Sequence, residues 1–400
     1  MSSATSRTST LGVVPPRPAL SFDSLGCVIA ILIGIALFAW PFATYRATRI
    51  ASGESRLLIE ALPIAMVAVV VLVSLGVAVG AVLARDPLGR LASSVIGLAV
   101  LLPSMGLSAG FLTPPDNTFA RVSPSIGFWL LVLSFCLLAV DALARLNLGP
   151  YGRLAALAVG ASAMALLLFS GIWDNLSILK EYHTRADTFW REGRQHLLLA
   201  LGSMIAACAV GIPLGIAGHR LKRLRTALLQ GLGIVQTIPS IALFGLLMAP
   251  LGAIAASVPL AAALGIRGIG AAPAFIALFL YALFPIVANT VAGLSQVPAA
   301  SVDAARGMGM SRRQQLVQIE MPLAFPVILA GIRIVLVQNL GLATVAALIG
   351  GGGFGTFVFQ GIGQTALDLV LLGAIPTVAL SFAASILLDA LVDLSKGALA

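Results

Sequence analysis

Charge is what this 400-residue sequence has least of: Asp, Glu, Lys and Arg together make up 10% of it. Soluble domains draw about a quarter of their residues from those four, so a soluble globular class is excluded. Lysine occurs only as Lys180, Lys222 and Lys396, and no Gly-x-x-x-x-Gly-Lys-Ser/Thr run is present. The chain therefore has no phosphate-gripping loop of that kind. The three cysteines, Cys27, Cys136 and Cys208, each stand alone in an apolar segment, which points to buried small hydrophobes, not to a disulfide framework or a metal site. His183, His196 and His219 are scattered, with no partner at ligand spacing. The net charge is +9, yet the basic residues form no stripe interleaved with aromatics, which argues against nucleic acid.

What is abundant is apolar residues, at 59%. They fall in unbroken runs, and about 20 such residues span a bilayer. A membrane β-barrel would alternate instead. The reading is an all-α polytopic membrane protein of about ten transmembrane helices, placed near 25–43, 61–84, 91–112, 126–144, 152–172, 195–217, 227–251, 272–294, 323–350 and 367–391. The first run is read as a retained span, being longer than a signal-peptide core and without a clean small-x-small cleavage site. Residues 1–24, rich in Ser, Thr and Pro, read as a disordered tail. A polar stretch, 173–194, separates a first bundle (25–172) from a second (195–395). With the N-terminus inside, fourteen Lys and Arg fall in inner segments and nine in outer ones, with Arg333 inside a span. That bias favours cytoplasmic N- and C-termini in a bacterial inner membrane and puts the polar island 297–322 on the inner side.

That island reads Asp303-Ala304-Ala305-Arg306-Gly307-Met308-Gly309, then nine residues, then Ile319-Glu320-Met321-Pro322. Ser301 is expected to N-cap a short helix, with Asp303 in its first turn, where negative charge suits the helix dipole. Gly307 and Gly309 would end that helix. Ser311 and Gln314 form a capping box that opens a second helix. Ala304, Ala305 and Met308 would show a small apolar face to a partner.

The island closely resembles the cytoplasmic coupling loop of binding-protein-dependent ABC importers, Glu-Ala-Ala-x-x-x-Gly, nine residues, Ile-x-Leu-Pro. Asp303 replaces Glu and Met321 replaces Leu. Residues 236–247, 276–290, 305–310, 330–333 and 346–355 are similar to the osmoprotectant branch, the glycine betaine, choline and carnitine permeases. The resemblance covers about 195–391. Departures are a long apolar loop at 252–271, Ala288 where the family pattern carries a basic residue, and the first five spans, which lie outside the shared core.

The resemblance implies a C-terminal five-helix type-I ABC importer core and a coupling loop carried by Asp303, Ala304, Ala305, Gly309, Ile319 and Pro322. It implies a permease that is not itself an enzyme and holds no cofactor, ATP and Mg being bound by partner ATPase subunits. Further partners would be a periplasmic or lipid-anchored substrate-binding protein, a second permease copy or homologue, membrane lipid and a small osmolyte such as glycine betaine or choline. Another small solute, amino-acid-like, is an alternative, and an ion-coupled secondary transporter a more distant one.

Polar residues inside spans are costly in lipid and therefore face protein or water. Gln236, Thr237 and Ser240 around Pro239, Asn289, Asn339 and Thr344 are thus candidates for the solute path, or else glue between helices. Arg333, about ten residues into its span, either organises the path or its gate, where it could meet a betaine carboxylate, or forms a structural pair. Gly350–Gly353 and Gly355 follow a membrane helix, not a strand, so close packing or an external gate is preferred to a nucleotide loop.

Overall fold

The computed structural model describes residues 23–397 apart from 50, 85, 115, 118 and 264. The tail expected at 1–24 lies outside the described residues up to position 22. Among the described residues nine helices are long and apolar enough to cross a membrane. A tenth apolar helix, α1 (Ser24–Phe38), has 15 residues, about 22 Å at 1.5 Å each, short of a ~30 Å hydrocarbon core. Three short strands are present, β1 (Ala43–Arg46), β2 (Glu54–Arg56) and β3 (Arg121–Pro124).

The chain forms two compact units. The first holds the described residues up to Thr44, with Gly53–Phe111 and Pro124–Leu146. It comprises α1, a single turn α2 (Leu58–Ala61), α3 (Ile64–Leu83), α4 (Pro87–Leu112) and α5 (Ile126–Leu146). Between lipid-facing helices the hydrophobic effect supplies little attraction, so close backbone approach and polar contacts do the joining. A Cβ on Gly26 of α1 would lie 2.1 Å from the Ala81 carbonyl oxygen of α3, so these helices touch backbone to backbone. On α4, Arg90, Ser94, Gly97, Leu101, Ser104 and Ser108 are buried, a spacing of three and four that lines one face. Arg90 is fully buried and holds Asp23 and Asp141, while Arg145 lies 3.0 Å from both carboxylates. Asp23 also caps α1 by accepting from the Leu25 amide. A guanidinium there is tolerable only because two carboxylates neutralise it.

The second unit holds Tyr45–Ser52, Leu112–Ser123 and everything from Asn147 onward. Its helices are α6 (Pro150–Phe169), α7 (Ser177–Thr184), α8 (Ala186–Arg220), α9 (Lys222–Thr237), α10 (Ser240–Ser257), α11 (Pro259–Ala263), α12 (Ala271–Ser295), α13 (Ala299–Gly307), α14 (Arg312–Gln314), α15 (Met321–Val345), α16 (Gly355–Gly363) and α17 (Leu367–Gly397). The expected polar loop 173–194 is mostly helical, being α7 plus the first turns of α8. The expected span 227–251 is not continuous: it breaks at Ile238–Pro239 between α9 and α10. Proline lacks the amide that would continue the ladder and disfavours α geometry before it, and Ile238 is extended at φ −72, ψ 126. The core is small-residue packing of α8, α12 and α15, built on Ala200, Ala274, Ala277, Leu278, Leu340 and Ala343, with Phe244 from α10.

Candidate functional site

The polar island forms a compact helix–turn–helix. α13 begins after Pro298, so Ser301 is its third residue and not its N-cap; Pro298 supplies an extended entry instead. The end is as expected. Gly309 adopts φ +78, its amide donates to the Arg306 carbonyl, and the Met310 amide donates to the Ala305 carbonyl. These two bonds satisfy the last carbonyls of α13 and depend on a left-handed residue that glycine supplies without a Cβ clash. Ser311 and Gln314 then cap each other's backbone amides at 2.8 and 3.4 Å.

From Gln315 to Glu320 the helix widens into a π turn and runs on into α15, with Met321 donating to Leu316. Pro322, expected at the entry to a span, lies inside this continuous helix. A proline ring collides with the carbonyl four residues back in an α-helix, and a wider turn relieves the collision. Glu320, the unassigned position of the motif, proves structural: its side chain is 4% exposed and meets Arg220, the last residue of α8, at 2.6 Å.

Of the expected partner-facing residues, Ala304 and Met308 are exposed, one turn apart, beside exposed Asp303, which pairs with Arg306 at 3.3 Å. Ala305 is fully buried and faces the protein, correcting its place in that apolar face. Ile319 is half-buried.

The candidate path residues are mostly engaged. The Gln236 amide nitrogen donates to the Tyr281 carbonyl at 2.5 Å, and the Tyr281 hydroxyl donates to the Ile238 carbonyl. Both acceptors lack their helical donor. Pro285 cannot supply the amide that would bond residue 281, four back, and the Ile238 carbonyl is left at the break, where the extended backbone ends α9. Thr237 is exposed and donates to Ile234 within its own helix. Ser240 is half-buried at the start of α10. Asn289 donates to Pro285 at 2.8 Å and lies where a Cβ on Gly331 would fall. Asn339 is fully buried, donates to Ser203 of α8 at 2.9 Å, and keeps its carbonyl oxygen without a partner among the described residues. Thr344 is half-buried, and its carbonyl leaves no room for a Cβ on Gly355. Arg333 forms an ion pair with Asp389 of α17, each side chain about one-third exposed. None of these hydrogen bonds or ion pairs joins one candidate path residue to another.

Sequence reading missed Asp389, which falls at the end of the expected span 367–391, whereas α17 continues two turns beyond it. Its spacing of four from Asp393, which pairs with Arg153 of α6, was the available signal. It also missed Glu192 and Gln195, which hold the glycine run against α8. Glu192 accepts from the Gly353 amide at 2.8 Å and Gln195 donates to the Gly351 carbonyl at 3.1 Å.

Comparison with known proteins matches two parts of the chain. Residues 209–396 match the family described as binding-protein-dependent transport system inner membrane component. Residues 23–179 match the N-terminal domain of ABC transporter permease YehY. The chain is 41% identical over 181 residues to osmoprotectant import permease protein OsmW of Salmonella typhimurium, covering 45% of this chain and 79% of that protein. It is 36% identical over 221 residues to carnitine transport permease protein OpuCD of Listeria monocytogenes, covering 54% and 90%. It is 35% identical over 187 residues to the glycine betaine/carnitine/choline permease OpuCB of Bacillus subtilis, covering 47% and 79%. Among solved structures, an inward-facing MetNI methionine ABC transporter chain is similar with 21% identity and a TM-score of 0.41, over 51% of this chain and 95% of that one.

Proposed function

Since this chain belongs to the inner-membrane permeases of binding-protein-dependent ABC importers, we propose that it carries osmoprotectants such as glycine betaine, choline or carnitine inward. The substrate class follows from the relatives' names, osmoprotectant, carnitine and choline permeases. The chain is a multi-pass membrane subunit without catalysis of its own. ATP and Mg belong on a separate ATPase, and a separate binding protein delivers solute from outside.

The observation that carries the coupling role is the construction of α13 and the π turn. A helix of nine residues exposes Ala304 and Met308, is closed rigidly by Gly309, and is fastened through Glu320 to the end of α8. A push on such a segment is transmitted to α8 and α15 instead of being absorbed in a flexible loop. In this reading 297–322 is the coupling loop, 195–395 the transport core and 25–172 an accessory bundle, with both termini cytoplasmic. A second permease, identical or homologous, completes the path. Gln236, Thr237, Ser240, Asn289, Arg333, Asn339 and Thr344 then act mainly by setting the positions of the path-forming helices. An ion-coupled transporter would use an intramembrane carboxylate to hold its ion; Asp389 is instead paired with Arg333.

Co-purification from native membranes tests the proposal. An ABC ATPase is expected with the wild-type chain and is lost with Gly309→Asp, together with solute uptake. Absence of any ATPase under gentle extraction, with uptake unaffected by Gly309→Asp, would overturn it.

A further inference from the structure

Two segments that lie in sequence among the N-terminal helices belong to the second unit: Tyr45–Ser52 and Leu112–Ser123. Their attachments are specific. Arg49 reaches the buried carboxylate of Glu181 on α7 at 3.3 Å and the Gln364 side chain at 3.2 Å. Arg46 approaches Asp368 at 3.9 Å, and Asp368 accepts from Ser177 of α7 at 2.7 Å. In the other segment the Asn117 amide binds the Ala47 carbonyl, and Lys180 of α7 binds the Ala120 carbonyl. The two segments, α7, the start of α8 and the turn before α17 thus make one continuous platform.

In each ion pair of this platform the carboxylate is the more buried member. Glu181, Glu192 and Asp368 have side chains 6%, 13% and 9% exposed, against 42% for Arg49, 69% for Arg191 and 25% for Arg46. Acids are buried and guanidinium groups face outward, joined by exposed Arg194; the exposed acids are Asp116, Asp174 and Asp187. Two large aromatics are exposed among them, Trp190 at 64% and Phe119 at 74%. Exposed arginine beside exposed aromatic is the composition of a protein-binding hot spot. The platform sits at the opposite end of α8 from Arg220 and the coupling segment, about 50 Å away at 1.5 Å per residue.

We propose that this platform is where the solute-binding protein docks, through an acidic patch of that protein, and that residues 45–49 together with Asn117, Phe119 and Ala120 supply part of it. The inference rests on the chain's reading as an importer permease. The connecting segments of the N-terminal helices thereby extend the core's docking face, adding Arg49 and Phe119 to it.

The test uses the whole importer, permease, ATPase and solute-binding protein, in proteoliposomes. ATPase rate is followed against binding-protein concentration. Arg191→Glu and Phe119→Ser alter exposed side chains and leave packing intact; Arg49→Gln probes the first segment directly. Each should raise the half-stimulating concentration, on the order of tenfold for the charge reversal, with the rate in the absence of binding protein unchanged. Added salt should bring wild type toward the Arg191→Glu behaviour. Superimposable curves for wild type and all three variants would overturn the docking inference alone. A wild-type complex that binding protein does not stimulate would overturn the importer reading and the inference with it.

Discussion

The reciprocal clasp between α9 and α12 predicts a specific pattern of stability losses. Tyr281 is 4% exposed, and its hydroxyl is the donor to the Ile238 carbonyl at the helix break. Tyr281→Phe keeps the ring and its packing and removes only that bond. A buried acceptor left unsatisfied costs about 1–3 kcal/mol in soluble proteins. Interhelical hydrogen bonds in membranes average nearer 0.6 kcal/mol, with a ceiling of about 1.7. The expected loss is therefore about 1 kcal/mol, a factor of five or so in the folding equilibrium. Gln236→Ala should cost a similar amount by exposing the Tyr281 carbonyl that Pro285 orphans. The sharper arm is Pro285→Ala. That substitution restores an amide aimed at the Tyr281 carbonyl, so Gln236→Ala in that background should be nearly neutral, while Tyr281→Phe keeps its cost. The assay is reversible unfolding in mixed micelles by titration with a denaturing detergent, following helical signal. If Gln236→Ala costs the same in wild type and in the Pro285→Ala background, or if Tyr281→Phe is within about 0.3 kcal/mol of wild type, the clasp does not do what its geometry implies.

Gly309→Ala should weaken the turn after α13 by about 1 kcal/mol, since a Cβ at φ +78 is strained; it should lower transport-coupled ATPase activity with less effect than Gly309→Asp. Arg333→Gln or Asp389→Asn alone should reduce folded yield in membranes by leaving one charge unpaired, and the double variant should recover most of it; quantitative size-exclusion profiles in detergent check this. Arg90 beside Asp23 holds that carboxyl below its usual range. A depressed folded-state pKa stabilises above the unfolded value, near 3.8, and that contribution is lost as pH falls through the lower folded one. Thermal unfolding followed from about pH 5 down to about 2.5 should show this loss in wild type and a flatter profile in Asp23→Asn.

Long apolar runs and the coupling motif were legible because each depends on local pattern: span length, the Ser311–Gln314 capping box, the left-handed glycine at 309. What the sequence hid was pairing across distance. Nothing near Arg90 in sequence announces Asp23 or Asp141, and Arg333 could be flagged as costly without showing that Asp389 answers it. The break at Ile238–Pro239 was not readable within the expected span 227–251, because whether a proline kinks or stops a helix is decided by its neighbours. Here the neighbour is Tyr281, whose hydroxyl satisfies the carbonyl that a continuing helix would have bonded. Ala305 was assigned to a partner and Glu320 to nothing, because helical phase inside a short motif depends on where the helix starts; Pro298, not Ser301, sets that start.

The π turn at Gln315–Glu320 sets the angular phase of everything after it. Each residue of an α-helix advances about 100° around the axis, so losing one residue there would rotate α15 by that amount relative to α13. Arg333 would swing away from Asp389, Asn339 away from Ser203, and Gly331 away from the Asn289 side chain it admits. Substitutions along this stretch are a matter of degree, whereas a change in its length is all or nothing. Along the lineage of this protein the count of residues between Gly309 and Pro322 is therefore expected to be less free to drift than their identities.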